Sequence, residues 1–193
     1  MATADDLPAR AFSSAAEFEA WLETEHGRAP GLYVRMDKKA SGIPSVTAAE
    51  AVEVALCFGW IDGRGNRVDD VWFTVRYTPR RARSVWSRKN VETVARLLDE
   101  GRMRPAGLAA VAAAKADGRW DRAYAGSATI TVPDDLAAAL AAEPAAQAFF
   151  AGLDRTNRYA VLWRVETAAT PRTRAKRIAA LVAMLAEGRA PHG

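Results

Sequence analysis

Two hydrophobic periodicities alternate at the start of the chain. Ser14 and Glu17 form the S-x-x-E pattern of a capping box, and Phe18, Trp21 and Leu22 follow at helical spacing. This combination predicts a first helix that docks through its aromatic face. The segment "GLYVRMDKK" then alternates apolar and polar residues, which is typical of a half-buried strand.

The next elements continue this α+β pattern. A second capping box, Thr47 with Glu50, opens a helix through "AAEAVEVALCF" that ends at Gly59. The text "WID" leads into the glycine-rich "GRGN", and "DVWFTVRYT" follows with β-branched and aromatic residues. We expect "GRGN" to be a turn that joins strands at Trp60–Asp62 and Val71–Tyr77 in a hairpin-like pair.

The rest of the chain is helical in pattern. Val91, Val94, Ala95 and Leu98 predict one apolar helix face in "RKNVETVARLLDE". Further helix starts are predicted at Pro105, Pro133, Pro144, Asp154 and Thr170. The expected fold is therefore α+β, with a small, mainly antiparallel sheet and helices in residues 1–130. A helical C-terminal module, residues 131–193, is expected to pack with it as one compact unit.

Composition narrows the class of protein. Half of the 193 residues are hydrophobic, which is enough for a proper core. The start "MATADDLPARAF" has acids where a signal peptide carries positive charge, and no run of about eighteen apolar residues follows. Cys57 is the only cysteine and lies in the apolar "VALCFGW", so we expect a buried thiol and no internal disulfide. These features predict a cytoplasmic protein without membrane insertion.

Charge is distributed unevenly along the chain. Residues 1–62 carry five Lys/Arg against ten Asp/Glu, a net charge of −5, whereas residues 63–193 carry 22 against 13, a net charge of +9. Such an imbalance indicates anionic partners, or two halves that pack against each other.

The segment "YTPRRARSVWSRKN" concentrates this positive charge. Arginine forks suit phosphate or carboxylate, an indole can stack on an aromatic ligand, and a helix start adds free N–H groups. The segment therefore favours anion recognition. The alternative is that its arginines pair with the acidic N-terminal half while Trp86 packs in the core. The cations from β-strand end to helix start are Arg76, Arg80, Arg81, Arg83, Arg88 and Lys89.

Other chemistry has weak support. The two histidines, His26 and His192, have no partner nearby in sequence, which disfavours zinc and histidine catalysis. "IDGRGN" lacks the third glycine of a dinucleotide fingerprint and the Lys-Ser/Thr of a P-loop. Asp62, Asp69 and Asp70 are interpreted as turn acids rather than cation ligands, because adjacent carboxylates on a strand point to opposite faces. We predict no cofactor and no metal.

Several stretches resemble a known family in order and spacing. They are "FSSAAEFEAWLETEHG", "ALCFGWIDG", "YTPRRARSVWSRKN", "LLDEGRMRPAG", "DGRW", "VPDDLAAALAAEPAA", "TNRY" and "TPRTRAKRI". The chain resembles the YdeI/OmpD-associated family, often labelled bacteriocin-protection proteins, over residues 11–188. The resemblance implies a role in protection against peptide antimicrobials or envelope stress, without a shared reaction or cofactor. It also marks as signature residues Phe58, Gly59, Trp60, Ile61, Asp62, Pro79, Arg80, Ser84, Trp86, Ser87 and Asn90.

Three positions depart from the family pattern. Arg104 stands where a threonine commonly caps the next helix. Near the C-terminus, Ala169 and Arg172 replace a lysine and a glutamate. The second basic run, "RTRAKR", lies at a helix start, where positive charge opposes the helix dipole. It therefore indicates either a role or acidic neighbours.

The leading functional hypothesis is a cytoplasmic stress or bacteriocin-resistance protein that binds an anionic or aromatic small molecule in an Arg/Trp-lined cleft. One alternative is nucleic-acid binding, and another is an enzyme with Asp62 as acid/base; a protein partner is left open. The predicted ligand-binding residues are Trp60, Asp62, Arg76, Arg80, Arg81, Ser84, Trp86, Ser87, Lys89 and Asn90.

Overall fold

A computed structural model describes residues 7–38 and 42–192. These ranges contain four strands and eight helices, so the α+β class is confirmed. The strands are β1 (Ala9–Ala11), β2 (Leu32–Asp37), β3 (Trp60–Arg67) and β4 (Trp72–Pro79). The helices are α1 (Ala15–Glu25), α2 (Ala48–Cys57), α3 (Arg88–Asp99), α4 (Pro105–Ala116), α5 (Asp134–Ala141), α6 (Pro144–Ala151), α7 (Arg155–Glu166) and α8 (Pro171–Ala186).

The sheet has the strand order β1-β2-β4-β3. Only the short β1 runs parallel to its neighbour, so the expected mainly antiparallel sheet is confirmed. Leu32, Val34 and Met36 of β2 are buried, as their alternation predicts. Tyr77 lies opposite Leu32 on the same face, and Phe18 of α1 contacts its ring at a centroid distance of 5.6 Å. This face of the sheet therefore holds the core.

The prediction of a turn at "GRGN" is wrong. β3 continues through these residues to Arg67, and the hairpin turns at residues 68–71. The pairing with β4 shifts register between Asp62 and Gly65. A β-bulge places an extra residue in one strand and is easily made with glycine. The glycines therefore serve a bulge inside the strand.

Helix caps follow the sequence with one change. Thr47 and Glu50 form the complete capping box at α2. At α1, Ser14 accepts a hydrogen bond from the Glu17 N–H, but the Glu17 carboxylate accepts from Ser13. In α3, Leu98 is 39% exposed and Ala95 is also exposed, so the predicted place of both residues on the apolar face is wrong.

Helix α4 packs unusually closely on the end of α2. A Cβ on Gly107 would overlap the Cys57 carbonyl oxygen and lie 2.8 Å from its carbonyl carbon. Gly59 has a φ of +73°, and a Cβ there would lie 2.8 Å from the Ala106 carbonyl oxygen. The glycines of the "FGW" and "RPAG" stretches thus allow two backbones to touch.

The chain divides into two compact units. The first is Met1–Ser84 with Asn90–Gly118, and the second is Val85–Lys89 with Arg119–Gly193. The sequence analysis expects the C-terminal module to begin at residue 131, whereas the last stretch of the second unit begins at Arg119. The core of the second unit is built from α5 to α8, including Leu136, Phe150, Val161, Leu181 and Leu185. Within the described ranges, no helix is long and apolar enough to cross a membrane.

Candidate anion-binding site

The basic segment "YTPRRARSVWSRKN" runs from β4 through a loop into α3. Residues up to Ser84 belong to the first unit, Val85–Lys89 to the second, and Asn90 again to the first. Of the ten predicted site residues, the first unit therefore holds seven, and the second holds Trp86, Ser87 and Lys89.

Arg104 forms ion pairs with two acidic residues of the N-terminal half. Its guanidinium lies 3.0 Å from Glu19 and 2.8 Å from Glu23, both on α1. It also lies 5.9 Å from the centroid of the Phe58 ring. Its backbone occupies the N-cap position of α4 without a side-chain cap hydrogen bond. Arg104 thus makes two ionic contacts from an N-cap position that lacks a side-chain cap.

Glu53 accounts for a second part of the acidic charge. It pairs with Arg96 and, at 3.3 Å, with Arg102. Glu100 completes the cluster at 2.7 Å from Arg96 and 3.3 Å from Arg102. These contacts lower the pKa of Glu100, chiefly through the hydrogen bond from Arg96. The acids Glu19, Glu23 and Glu53 are therefore paired by arginines that follow the basic segment along the chain.

Three arginines, Arg76 just before the basic segment and two within it, have no acidic partner among the described residues. Within residues 7–38 and 42–192, no carboxylate forms an ion pair with Arg76, Arg81 or Arg83. Arg81 and Arg83 are exposed, and Arg76 is half-buried. We call Arg76 to Ser84 the arginine segment. For these three residues, the described part of the acidic N-terminal half therefore supplies none of the pairing that the alternative interpretation expects.

The bulge in β3 positions the Arg76 guanidinium. A Cβ on Gly63 would lie 3.2 Å from Arg76 Nε, so the side chain lies across the glycine. Asp62, at the edge of the bulge, is exposed and pairs in register with Tyr77. The predicted site residues Asp62 and Arg76 thus lie on adjacent strands, with the bulge opposite Arg76.

The loop after β4 is held by its own backbone. The N–H of Arg80 donates to the Gly59 carbonyl at 3.0 Å and extends the ladder past Pro79. The N–H of Arg81 donates to Ser84 Oγ at 3.0 Å, and the Ser84 N–H donates to the Arg81 carbonyl at 2.9 Å. Ser84 therefore acts as a turn residue that holds Arg81 and Arg83 on a short, closed loop.

Both predicted tryptophans are buried. Trp60 is 1% exposed, donates its indole N–H to the His26 carbonyl at 3.1 Å and meets Trp21 edge-on. Trp86 is also 1% exposed and packs against Trp120 at a centroid distance of 5.0 Å. Both rings are therefore buried, as the core alternative for Trp86 anticipates.

Within the second unit, the end of the motif forms backbone hydrogen bonds with Tyr124. Tyr124 donates its N–H to the Trp86 carbonyl at 2.9 Å, and its carbonyl accepts from the Arg88 N–H at 2.8 Å. The Arg88 guanidinium pairs with Glu166 at 3.0 Å. Lys89 is exposed and Ser87 half-buried, while Asn90 in the first unit is 9% exposed. Arg88 is thus paired within the second unit.

The outer face of the sheet adds residues that sequence reasoning missed. Tyr33 lies opposite Arg76, and the Arg35 guanidinium lies 5.4 Å from the Trp72 ring centroid. All four side chains are half-buried, and among the described residues Arg35 has no acidic partner. The alternation of β2 places Tyr33 and Arg35 on one face, but the pairing with β4 is a long-range feature. We call Tyr33, Arg35, Trp72 and Arg76 the outer sheet face.

The remaining candidate chemistry is a metal site, the Cys57 thiol and the His26 imidazole. In the part of the chain that the structure describes, no three His, Cys, Asp or Glu side chains gather around a common point. Cys57 is buried, as predicted, and burial raises the pKa of its thiol. His26 is half-buried beside Phe58, with Nδ1 2.8 Å from the Leu22 carbonyl oxygen.

The N-terminal and C-terminal parts of the chain match two different family models. Residues 10–110 match the family model described as Domain of unknown function (DUF8412), which covers just over half of the sequence, and the chain belongs to this family. Residues 129–188 match the model described as Bacteriocin-protection, YdeI or OmpD-Associated, which confirms the resemblance to that family. No curated protein and no solved structure matches the chain. The "GWIDG" and "TPRRARSVWS" motifs lie within the first match.

Proposed function

We propose that this protein binds an anionic small molecule through the arginine segment. One observation carries the proposal: Arg76, Arg81 and Arg83 have no acidic partner in the described ranges, while other arginines pair with Glu19, Glu23 and Glu53. Guanidinium groups with free forked donors suit phosphate or carboxylate groups. The buried Trp60 supports the strand from behind rather than stacking on the ligand.

The proposed setting is the cytoplasm, in resistance to bacteriocins or a related stress. The description of the matched C-terminal family model supports the resistance role. The role of Asp62 in the proposal is to orient an arginine or to accept a hydrogen bond from the ligand. An enzyme with Asp62 as acid/base has less support, because that role needs an enclosed carboxylate and Asp62 is exposed.

A thermal-shift titration tests the proposal. The wild type is titrated with phosphate, pyrophosphate, citrate and nucleotides at low and high salt, beside an Arg81→Gln/Arg83→Gln variant. We expect stabilisation by a small anion in the wild type and its loss in this variant. The matched control is Arg10→Gln/Arg28→Gln, which removes two exposed charges elsewhere in the first unit. Equal stabilisation of both variants by the same anion would contradict the proposal.

Single-stranded nucleic acid is a second candidate ligand because of the outer sheet face. Arginine and aromatic side chains alternate there, and bases stack on such surfaces. This candidate predicts affinity that falls steeply with salt. A short oligonucleotide that binds equally well at low and high salt, or that binds an Arg35→Gln/Arg76→Gln variant as well as the wild type, would exclude it.

A further inference from the structure

The second basic run, "RTRAKR", divides into paired and unpaired cations. Arg174 lies 2.6 Å from Asp135, which lowers the pKa of that carboxyl mainly through the hydrogen bond. Arg177 Nη1 donates to the Arg164 carbonyl at 2.6 Å and to Thr167 Oγ1 at 3.2 Å. Arg177 therefore ties α8 to the last turn of α7. Acidic neighbours thus explain Arg174 but not the remaining cations.

A groove lies beside Arg177 on the surface of α7 and α8. Its volume is about 410 Å³, and its apolar lining comes from Trp163, Leu181 and Met184. Trp163 is half-buried, and Tyr124 meets its ring edge-on at 5.9 Å. A fixed indole beside a thioether and an aliphatic side chain offers a surface for an apolar or aromatic body.

Two arginines contribute positive charge to the lining of this groove. Arg164 and Arg177 line it directly, and a second depression of about 480 Å³ continues past Arg177 to Arg172 and Lys176. Within residues 7–38 and 42–192, none of these four cations forms an ion pair. The nearby Glu166 is occupied by Arg88 at 3.0 Å and by the Ala125 N–H at 3.1 Å. The groove is therefore both apolar and uncompensated in charge.

We infer that the groove of α7 and α8 binds a small anionic amphiphile. The apolar or aromatic body packs on Trp163, Leu181 and Met184, and the phosphate or carboxylate group binds Arg164 and Arg177. Arg172 and Lys176 attract the anion from the adjoining depression. Charge complementarity selects an anionic ligand, and the concave apolar lining selects a ligand with a hydrophobic body over a bare ion. A cationic peptide is disfavoured by the same charges.

Isothermal titration of the full chain with octyl phosphate tests this inference. Octanol and inorganic phosphate are the comparators, because each carries only one half of the amphiphile. We expect one octyl phosphate to bind per chain, with a Kd at least about tenfold lower than that of either comparator. Arg164→Gln/Arg172→Gln should raise this Kd by about tenfold or more. Arg177 is left in place because its bonds join the two helices.

The matched control is Arg155→Gln, an exposed arginine on α7 that does not line the groove. It should bind octyl phosphate as the wild type does. Met184→Gln tests the apolar side and should also weaken binding. The inference fails if Arg155→Gln weakens binding as much as Arg164→Gln/Arg172→Gln, or if octanol binds as tightly as octyl phosphate. It also fails if the protein binds only oligonucleotides or anionic vesicles.

This inference and the proposed function fail separately. Octyl phosphate titrations of Arg164→Gln/Arg172→Gln report on the groove in the second unit. Pyrophosphate titrations of Arg81→Gln/Arg83→Gln report on the arginine segment in the first unit. If Arg164→Gln/Arg172→Gln loses octyl phosphate binding, the groove is a site. If Arg81→Gln/Arg83→Gln loses pyrophosphate binding, the arginine segment is a site. Either result can occur without the other.

Discussion

Replacing Tyr77 by phenylalanine should stabilise the protein. Tyr77 has no measurable exposed surface, and its hydroxyl has no hydrogen-bond partner among the described residues. Burial, and then the charge of Asp62, raises the pKa of this phenol. A buried polar group without a partner costs about 1–3 kcal/mol, because it loses its bonds to water. Phenylalanine removes that cost and keeps the ring against Phe18 at 5.6 Å.

We take the lower end of this range, about 1 kcal/mol, because a small void replaces the oxygen. For a chain of this size, such a gain raises Tm by about 2–4 °C. The assay is differential scanning calorimetry of the wild type, Tyr77→Phe and Tyr159→Phe. Tyr159 is the control, because its hydroxyl donates to the Ala125 carbonyl at 3.4 Å and its removal should give no gain. A Tm that falls by several degrees in Tyr77→Phe would refute the reasoning, since it would reveal a bonded hydroxyl.

Three further predictions concern packing, the thiol and a salt bridge. Gly107→Ala should lower the free energy of unfolding by about 3 kcal/mol or more, measured by urea denaturation, because its Cβ would overlap the Cys57 carbonyl; a loss below about 1 kcal/mol would contradict the close approach. Cys57 should react with a disulfide reagent only as the protein unfolds, because the thiol is buried and its pKa is raised; labelling of the native protein as fast as in urea would disprove this. Arg174→Gln should cost about 0.5–1 kcal/mol at neutral pH. Arg174 lowers the pKa of Asp135 in the folded state. The part of this cost due to the ion pair is therefore fully present above the ordinary pKa of 3.8 and disappears as pH falls through the lowered pKa. A cost that does not change with pH would contradict this prediction.

Local signals predict most of the helices and the buried face of β2. Capping residues and proline mark α2 and α5 to α8, because a helix start depends on a few neighbouring residues. The bulge at Gly63 was not predictable in the same way. Glycine is common in turns and bulges alike, and only pairing with β4 decides between them.

The candidate site was predictable in composition but not in pairing. The sequence shows an excess of arginine at Arg76–Lys89, yet it does not say which arginines meet an acid. Arg104 pairs with Glu19 and Glu23 over more than eighty positions, and such long-range contacts depend on the fold. The burial of Trp60 and Trp86 is also a tertiary outcome, since a tryptophan in a loop motif suits a core or a ligand equally well.

The most direct measurement of the central claim is two-dimensional NMR of the arginine Nε–Hε groups during titration with pyrophosphate. The account predicts that the signals of Arg76, Arg81 and Arg83 shift together and saturate. The paired Arg96 and Arg104 serve as internal controls and should stay in place. If Arg76, Arg81 and Arg83 stay unmoved while the anion binds elsewhere, or if every exposed arginine shifts alike, the arginine segment is not an anion site.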